Sequence, residues 1–530
     1  MSSESQPKRA HPATWVPSLY FAEGIPYLTV SLLAVVLYKR MGISNDIIAY
    51  ATSLLLLPWS LKPLTSPLIE MYKTKKFFVV LFEFVGGLVI AAIGLCLPLP
   101  GFFAFTITLF AVLAFCSSTH DIAGDGLYIA ALSPKERASY AGWQSAFWNV
   151  GRLFAQGGLV ILAGILEKRM AVPHAWLIVF VLAGGILLLL SLYHSRMLPA
   201  GGEERKLEGV GRLLKSYGYL GVIVGYGYLA WVALRWLFDL AGSHFGWRGY
   251  LYAAAVAVLY AWMCRHAARL KGNPKHKWFY VFAILLTLGG LPFVVINWNK
   301  FKPTEFGHIV VTFFEKPGIF IIMAFILLYR TAEGQVERIR PLFLLDPHDK
   351  LVHGHSVFVG GLGLTPEMFG TVSMFATGAM VLGSIVGGYF ASWLGLKKAL
   401  IPLVLILNAR NLVYVYLSRE LPSNMPLIWA AILLEMFLYG FGYIGVMVLM
   451  FQEVAPGKYQ TAHYAFANSL MNLGLILPGM VSGKIQTMLG YRSFFLWVLI
   501  WVIPPILLFK FIPFRHQGAP PAAEPALEQS

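Results

Sequence analysis

Apolar stretches long enough to cross a lipid bilayer recur along the chain from Trp15 to Pro513, and short polar turns separate them. About twenty apolar residues, folded as a helix, cover the roughly 30 Å hydrocarbon core of a membrane. The pattern therefore predicts an all-α integral membrane protein. We expect two groups of six spans, at 15–38, 47–69, 77–97, 102–128, 139–166 and 175–194, and at 318–342, 366–392, 399–418, 426–450, 460–485 and 493–512.

The two groups are separated by a polar stretch from Ser195 to Lys215 and by three further apolar stretches at about 217–300. If both groups begin on the same side of the membrane, an even number of these stretches spans it. We predict two inserted helices and one interfacial segment. The predicted domains are a cytoplasmic tail at 1–14, a six-helix bundle at 15–194, a cytoplasmic linker with inserted membrane segments at 195–317, a second six-helix bundle at 318–513 and a disordered cytoplasmic tail at 514–530.

Basic residues gather in the loops of one predicted face, as in the runs Lys73–Lys76 and Lys397–Lys398. Cytoplasmic loops of membrane proteins are enriched in Lys and Arg, so this asymmetry predicts that both termini are cytoplasmic. The same loops account for the net charge of +16. Outside the apolar spans, the sequence has no stripe of basic residues interleaved with aromatic ones, so no nucleic-acid partner is expected.

Composition narrows the function classes further. The chain is 58% hydrophobic and only 12% charged, whereas soluble domains carry roughly a quarter of charged residues. A soluble enzyme or binding module is therefore excluded. The three cysteines, Cys96, Cys116 and Cys264, lie in apolar segments without ligand spacing, and we expect no metal site and no cofactor.

An internal repeat relates the two groups of spans. Residues 132–153 resemble residues 453–476: in each, a short Pro/Lys loop leads into a helix with Asn-x-Gly near its middle, at 149–151 and 472–474. Repeated halves around a central cavity are how many alternating-access transporters are built.

Ionisable residues inside apolar spans are costly, and they usually face a wet cavity or the bundle interior. In the first group, Asp121 and Asp125 are four residues apart and share one helical face. Close carboxylates raise one another's affinity for a proton, which favours a proton-coupling role for this pair. A structural ion pair with Arg152 or with Lys62 is the alternative.

The remaining candidates are polar residues at membrane depth in both groups. Arg330, Glu333 and Glu337 lie at i, i+3 and i+7 on one face, where ion pairing within the helix is the alternative to binding. For Glu83 and Glu435, the alternative to a functional role is a carboxyl group that is simply hydrogen-bonded inside the protein. The predicted substrate-binding set is Glu23, His120, Arg152, Arg330, Glu333 and Asn411.

Several stretches resemble the AmpG-like branch of the major facilitator superfamily, which also includes acetyl-coenzyme A transporters. The matching segments are residues 21–44, 57–72, 115–138, 327–335 and 361–372. In the third of these, His-Asp-Ile-Ala-Gly-Asp resembles the family pattern Gln-Asp-Ile-x-x-Asp, with Asp121 and Asp125 in the aspartate positions. His120 in place of glutamine, and the inserted block, depart from that pattern.

The resemblance implies a major facilitator fold, two six-helix bundles flanking a cavity, and proton-driven import across the bacterial inner membrane. Its best-known solutes are muropeptides derived from the cell wall. We therefore expect a secondary active transporter, not an enzyme, whose partners are a small-molecule solute, protons and the bilayer. Alternatives are a transporter or exporter of a siderophore, drug or acyl-CoA and, from another class, a membrane-embedded transferase.

Overall fold

The computed structural model describes residues 11–71, 73–201, 211–212, 214–225, 290–352, 355–456 and 459–514. The chain divides into a larger compact unit, residues 1–206 with 316–530, and a smaller one, residues 207–315. Apart from a short hairpin, the regular structure of the described residues is helical.

The first half of the larger unit is a run of helices interrupted by two π-helical turns, at Thr29–Leu33 and Phe154–Leu159. The helices are α1 (Pro12–Leu28), α2 (Ala34–Arg40), α3 (Asn45–Leu54), α4 (Leu57–Ser60), α5 (Lys62–Met71), α6 (Lys75–Cys96), α7 (Phe102–Ala131), α8 (Pro134–Leu153), α9 (Val160–Glu167) and α10 (Val172–Met197).

The smaller unit contains α11 (Gly290–Phe301) and α12 (Glu305–Phe314), together with a helical segment at 214–225. The ring of Phe306 packs edge-on against Phe301 and against Tyr217, with centroids 5.8 and 5.7 Å apart. Most of the predicted inserted helices fall on residues 226–289, outside the described residues. Their number, and the domain boundaries around them, stay predictions.

The second half of the larger unit is also helical and contains a two-stranded antiparallel hairpin. Its elements are α13 (Ile319–Tyr329), α14 (Thr331–Leu345), β1 (Asp349–Val352), β2 (His355–Phe358), α15 (Pro366–Leu394), α16 (Leu396–Ala409), α17 (Asn411–Glu420), α18 (Met425–Leu449), a π-helical turn Met450–Val454, α19 (Gln460–Ile500) and α20 (Ile503–Phe509).

Within the described residues, ten helices are long and apolar enough to cross a membrane, and the all-α membrane fold is confirmed. Two local features explain why the number differs from twelve. The predicted span 47–69 is divided into α3, α4 and α5, because proline removes backbone donors and clashes with the preceding turn. The last two predicted spans lie on either side of Gly490, where φ is 71° and ψ is 166°, so α19 consists of two helices that meet at this residue and the ten candidates include the pair as one.

Helix starts follow the local sequence. Ser133 caps α8 in a reciprocal box: its hydroxyl accepts from the Glu136 amide, and the Glu136 carboxylate accepts from the Ser133 amide at 2.8 Å. Thr365 caps α15, accepting from the Met368 amide at 3.2 Å. In both helices a proline follows the cap, at a position where the missing amide proton costs nothing.

Glycines let helices that bear cavity residues approach closely. A Cβ atom on Gly24 of α1 would lie 2.9 Å from the Trp148 carbonyl of α8, and one on Gly151 would collide with the Phe21 carbonyl. Gly383 of α15 and Gly440 of α18 abut one another's helix backbone in the same way. Small residues at helix crossings are the usual means of close packing in membranes.

Candidate functional site

A polar cavity of about 620 Å³ lies between the two halves of the larger unit. Helices α1, α5, α7 and α8 of the first half and α14, α15, α18 and α19 of the second line it. The charged residues on its wall are Glu23, Lys62, Asp121, Arg152, Arg330, Glu333, Glu337, Arg338 and Arg340. Nine charged side chains at membrane depth indicate a water-filled cavity that binds a polar or charged ligand.

A larger groove, of about 1160 Å³, runs along the outside of α6 and α10. It is lined mostly by apolar side chains such as Phe84, Leu182 and Leu189. Such a surface suits the hydrocarbon of a bilayer, so the charged cavity is the candidate site.

In the first half, the two aspartates of α7 have different partners. Asp121 lines the cavity and forms an ion pair with Lys62, which begins α5. Asp125 is exposed, and it accepts hydrogen bonds from the Tyr20 hydroxyl at 3.0 Å and from Gln144 at 3.3 Å. The structure therefore brings Asp121, and not Asp125, to the cavity wall.

Glu23 reaches the same cavity from α1 and is only 7% exposed. Its Oε2 atom is buried and has no hydrogen-bond partner among the described residues. A buried carboxylate oxygen without a donor is costly while the group is ionised. Binding a proton, or a donor group of a solute, would satisfy it.

In the second half, Arg330 and Glu333 form a bidentate pair across one helical turn, with the Arg330 Nε atom 2.7 Å from the Glu333 Oε2 atom. The Tyr439 hydroxyl donates to the other carboxylate oxygen at 2.9 Å. The Arg330 guanidinium also lies over the Tyr443 ring, 5.0 Å from its centroid. The charges of Arg330 and Glu333 therefore neutralise each other, which is the ion pairing within the helix that the spacing left open as the alternative to binding.

Arg152, like Arg338 and Glu23 on the same wall, forms no ion pair within the described part of the chain. Its Nε donates to Gln156 at 3.2 Å, and its Nη1 lies 3.4 Å from the Met380 thioether sulphur. Thioether sulphur is only a weak acceptor. The guanidinium charge is therefore left largely unneutralised beside open space.

Arg340 approaches Arg152 from the opposite half, and both line a second, small pocket that adjoins the central cavity. The Arg340 Nη1 atom lies 2.9 Å from the Met436 sulphur. Its carboxylate neighbours are more distant, with Glu337 at 3.5 Å and Glu435 at 3.7 Å. Two guanidinium groups from opposite halves thus face one pocket.

The two remaining predicted residues do not line the cavity. His120 is 2% exposed, and its Nε2 lies 3.0 Å from the Glu83 carboxylate between α6 and α7. Neighbouring residues of a helix point about 100° apart, which places His120 away from the face of Asp121. Asn411, which begins α17, is buried, and both its side-chain polar atoms lack hydrogen-bond partners among the described residues.

Three cavity groups, Arg338, Arg340 and Tyr439, were not predicted. Arg338 and Arg340 could have been found, because both lie inside an apolar span and are expensive there for the same reason as Arg330. Tyr439 carried no such signal, since tyrosines are common in membrane helices for packing and at the interface.

At one end of the cavity the two halves are joined by a polar network that we call the latch, formed by Lys39, Asn45, Asp346, Gln486 and Tyr491. Asp346, which follows α14, pairs with Lys39 and accepts from the Tyr491 hydroxyl at 2.5 Å. The Asn45 amide donates to Gln486 at 3.0 Å and to Asp346 at 3.2 Å. Lys168 and Glu367 form a further ion pair between the halves.

Two helical halves around a charged cavity are the architecture of the major facilitator fold, and solved structures agree. The chain is similar to a POT family transporter in complex with a thioalcohol-conjugated peptide, with a TM-score of 0.57, 12% identity, and 94% of this chain and 95% of that chain covered. It is similar to the nucleoside transporter NupG with a TM-score of 0.54 and 13% identity, covering 94% of this chain and 98% of that chain.

No family model matches the chain. Among curated proteins it is similar to the anhydromuropeptide permease of Escherichia coli strain K12, 22% identical over 321 residues, which is 60% of this chain and 55% of the relative. It is similar to the putative transporter AmpG 2 of Rickettsia prowazekii strain Madrid E, 25% identical over 208 residues, 38% of this chain and 45% of the relative. The chain thus spans about half the length of the curated relatives it matches, and its resemblance to the AmpG-like branch is confirmed.

Proposed function

We propose that this chain is a secondary active transporter that imports its solute through the central cavity by alternating access. The observation that carries the proposal is the charged cavity lined by residues of both halves. Relatives named as a permease and as a putative transporter support a transporter over an enzyme. The setting we propose is the bacterial inner membrane, with both termini in the cytoplasm, as the basic loops indicate.

The cavity favours an anionic, amphiphilic solute. Its wall carries five basic groups, Lys62 and four arginines, against four acidic ones. After the Arg330–Glu333 and Lys62–Asp121 pairs are removed, Arg152 and Arg338 remain without a paired carboxylate; Arg338 donates to the Ser31 carbonyl at 2.9 Å, whereas Arg152 has only Gln156 and a thioether sulphur. A guanidinium fork matches a carboxylate in two parallel hydrogen bonds. A muropeptide-like solute, related to what the anhydromuropeptide permease is named for, presents such a carboxylate beside a sugar.

We assign proton coupling to the acidic groups on the cavity wall of the first half, Asp121 and Glu23. Asp121 can exchange its Lys62 partner for a proton, and Glu23 has an oxygen without a donor. A proton drives the solute only if it binds one state of the transporter better than the other. Asp125, predicted alongside Asp121, is proposed only as a support for α1 through the Tyr20 hydroxyl.

Alternating access requires that the latch open during the cycle, and Asp346 is its central acceptor. Asp346→Ala leaves Lys39, Asn45 and Tyr491 without that carboxylate, and a lost buried acceptor costs about 1–3 kcal/mol. We expect the latch end to open more often. A cysteine in place of Ser31, on the cavity wall, should then react about tenfold faster or more with a membrane-impermeant thiol reagent added at that end.

The measurement uses a background in which Cys96, Cys116 and Cys264 are replaced. Asp349→Ala is the matched control, because Asp349 lies on the neighbouring hairpin, is largely exposed and pairs with His348 outside the latch. Equal labelling rates of Ser31→Cys in the Asp346→Ala and Asp349→Ala proteins would show that the latch does not hold this end closed.

Solute recognition is tested separately, by equilibrium binding of labelled anhydro-muropeptide to the purified protein in detergent. We expect saturable binding that is competed by unlabelled solute and weakened when its carboxylates are esterified. Binding that is indifferent to esterification would contradict the assignment of an anionic solute while leaving the transport proposal open to other solutes.

A further inference from the structure

Outside the cavity, four helices of the first half bring together a buried polar cluster. Glu83 of α6 is 1% exposed, His120 of α7 is 2% and His194 of α10 is 0%. His194 Nδ1 lies 2.8 Å from both Glu83 oxygens, and His120 Nε2 lies 3.0 Å from Oε1. On the far side, His194 Nε2 lies 2.9 Å from the Ser18 hydroxyl of α1.

We propose that Glu83, His120 and His194 form a proton-binding site, separate from the cavity, that loads and releases one proton. A neutral imidazole has one N–H group. If both histidines donate to Glu83, the cluster carries one negative charge, and the Ser18 hydroxyl donates to His194 Nε2. A proton added at His194 Nε2 makes an imidazolium–carboxylate pair with no net charge, and Ser18 then accepts.

Both proton counts satisfy the same set of hydrogen bonds, because a hydroxyl can donate or accept. No side chain has to move between them. Burial works against the state with net charge, since an uncompensated charge is costly in a low dielectric. The geometry therefore supports a proton that is held firmly yet exchangeable without rearrangement.

The other charged groups on these four helices are outside the cluster of Glu83, His120 and His194. Besides Glu83, His120 and His194, the titratable and charged groups on the four helices are Tyr20, Glu23 and Tyr27 on α1, Lys75, Lys76 and Cys96 on α6, Cys116, Asp121, Asp125 and Tyr128 on α7, and His174, Tyr193 and Arg196 on α10. Cys116 lines the small space beside Glu83 and His120, and the Tyr193 ring lies 5.6 Å from the His194 ring. Asp121 and Asp125 are engaged by Lys62 and Tyr20.

Ser117 supplies a connection to the solute path. Its side chain lines both the central cavity and the small space beside Glu83 and His120. His120 directly precedes Asp121, and Ser18 lies on the helix that carries Glu23. A role of this site in the pH dependence of transport rests on the proposed function, whereas proton binding itself does not.

Proton binding is tested on the purified protein in detergent by nitrogen NMR of labelled histidines across a pH series. In the wild type we expect one histidine, assigned by its loss in His194→Asn, to titrate. In Glu83→Gln the midpoint should change, because the carboxylate that pairs with the imidazolium is gone. A midpoint unchanged in Glu83→Gln, or a His194 signal that does not titrate, would overturn the proposal.

A transport readout separates this role from a purely structural one. We expect the pH profile of solute uptake to shift in Glu83→Gln, in the same direction as the NMR midpoint. Ser191→Ala is the matched control, since the Ser191 hydroxyl donates to the Val80 carbonyl at 2.9 Å and removes a buried α10–α6 bond outside the cluster. If Ser191→Ala shifts the profile as much as Glu83→Gln, the cluster only holds helices together. If no protein transports, the NMR result still decides proton binding.

Discussion

Replacing Arg152 by alanine is expected to lower kcat/KM for uptake of an anionic solute by roughly a hundredfold, the largest loss we predict for a single cavity residue. The reason is that Arg152 is bound only by Gln156 and the Met380 sulphur within the described residues. Its charge is therefore free to pair with the solute. Arg152→Lys should recover only part of the loss, because an ammonium group cannot form the bidentate contact.

The uptake rates are measured in proteoliposomes over a range of solute concentrations, so that kcat and KM are separated. Arg169→Ala is the matched control: it makes the same chemical change at an exposed position beyond α9. Esterified solute serves as a second control, since it should be insensitive to Arg152→Ala. Wild-type kcat/KM in Arg152→Ala protein would remove the guanidinium from solute recognition.

Glu435→Ala is expected to cause the largest loss of stability, about 3–5 kcal/mol, because it strands a buried cation. Glu435 is 0% exposed and Arg410 is 1% exposed, and the Arg410 Nη1 atom lies 2.9 Å from the Glu435 Oε1 atom. The Tyr414 hydroxyl donates to the other oxygen at 3.0 Å. Two further nitrogens of Arg410 lack hydrogen-bond partners among the described residues, and its other carboxylate neighbour, Glu337, is 4.0 Å away, too far for a hydrogen bond.

The unfolding midpoint of the detergent-purified protein measures this effect. The double variant Glu435→Ala, Arg410→Met should be more stable than Glu435→Ala alone, since it removes the unpaired charge as well. Glu420→Ala, at the exposed end of α17, is the control for loss of a carboxylate. A Glu435→Ala midpoint equal to that of Glu420→Ala would mean that the ion pair contributes nothing to stability.

Much of the fold was predictable because every helix that crosses the membrane needs an apolar run of similar length. Apolar runs of about twenty residues located the helices, and the prolines within 47–69 account for the division of that span into three helices. The break between the last two spans was predictable too, because Gly490, whose φ is 71°, lies in the short stretch between the two apolar runs. The inserted block was placed between the halves, but 226–289 lie outside the described residues.

The site was predictable only where a charged residue lies within an apolar span. Glu23, Arg152, Arg330 and Glu333 were found because charges in apolar spans are expensive. The pairing of Glu83 with His194 was not found, since the two residues are 111 positions apart and helical periodicity does not reveal contacts between helices. His120 was placed beside Asp121 in sequence, yet the helical turn directs it to Glu83 instead.

The most direct test of the central claim is uptake of labelled anhydro-muropeptide by proteoliposomes, with and without an imposed proton gradient. We predict uptake that depends on the gradient in the wild type and is lost in Asp121→Asn, whose binding of solute in detergent is retained. Gradient-driven uptake at the wild-type rate in Asp121→Asn, or uptake of the wild type that ignores the gradient, would contradict a proton-coupled transporter acting through this cavity.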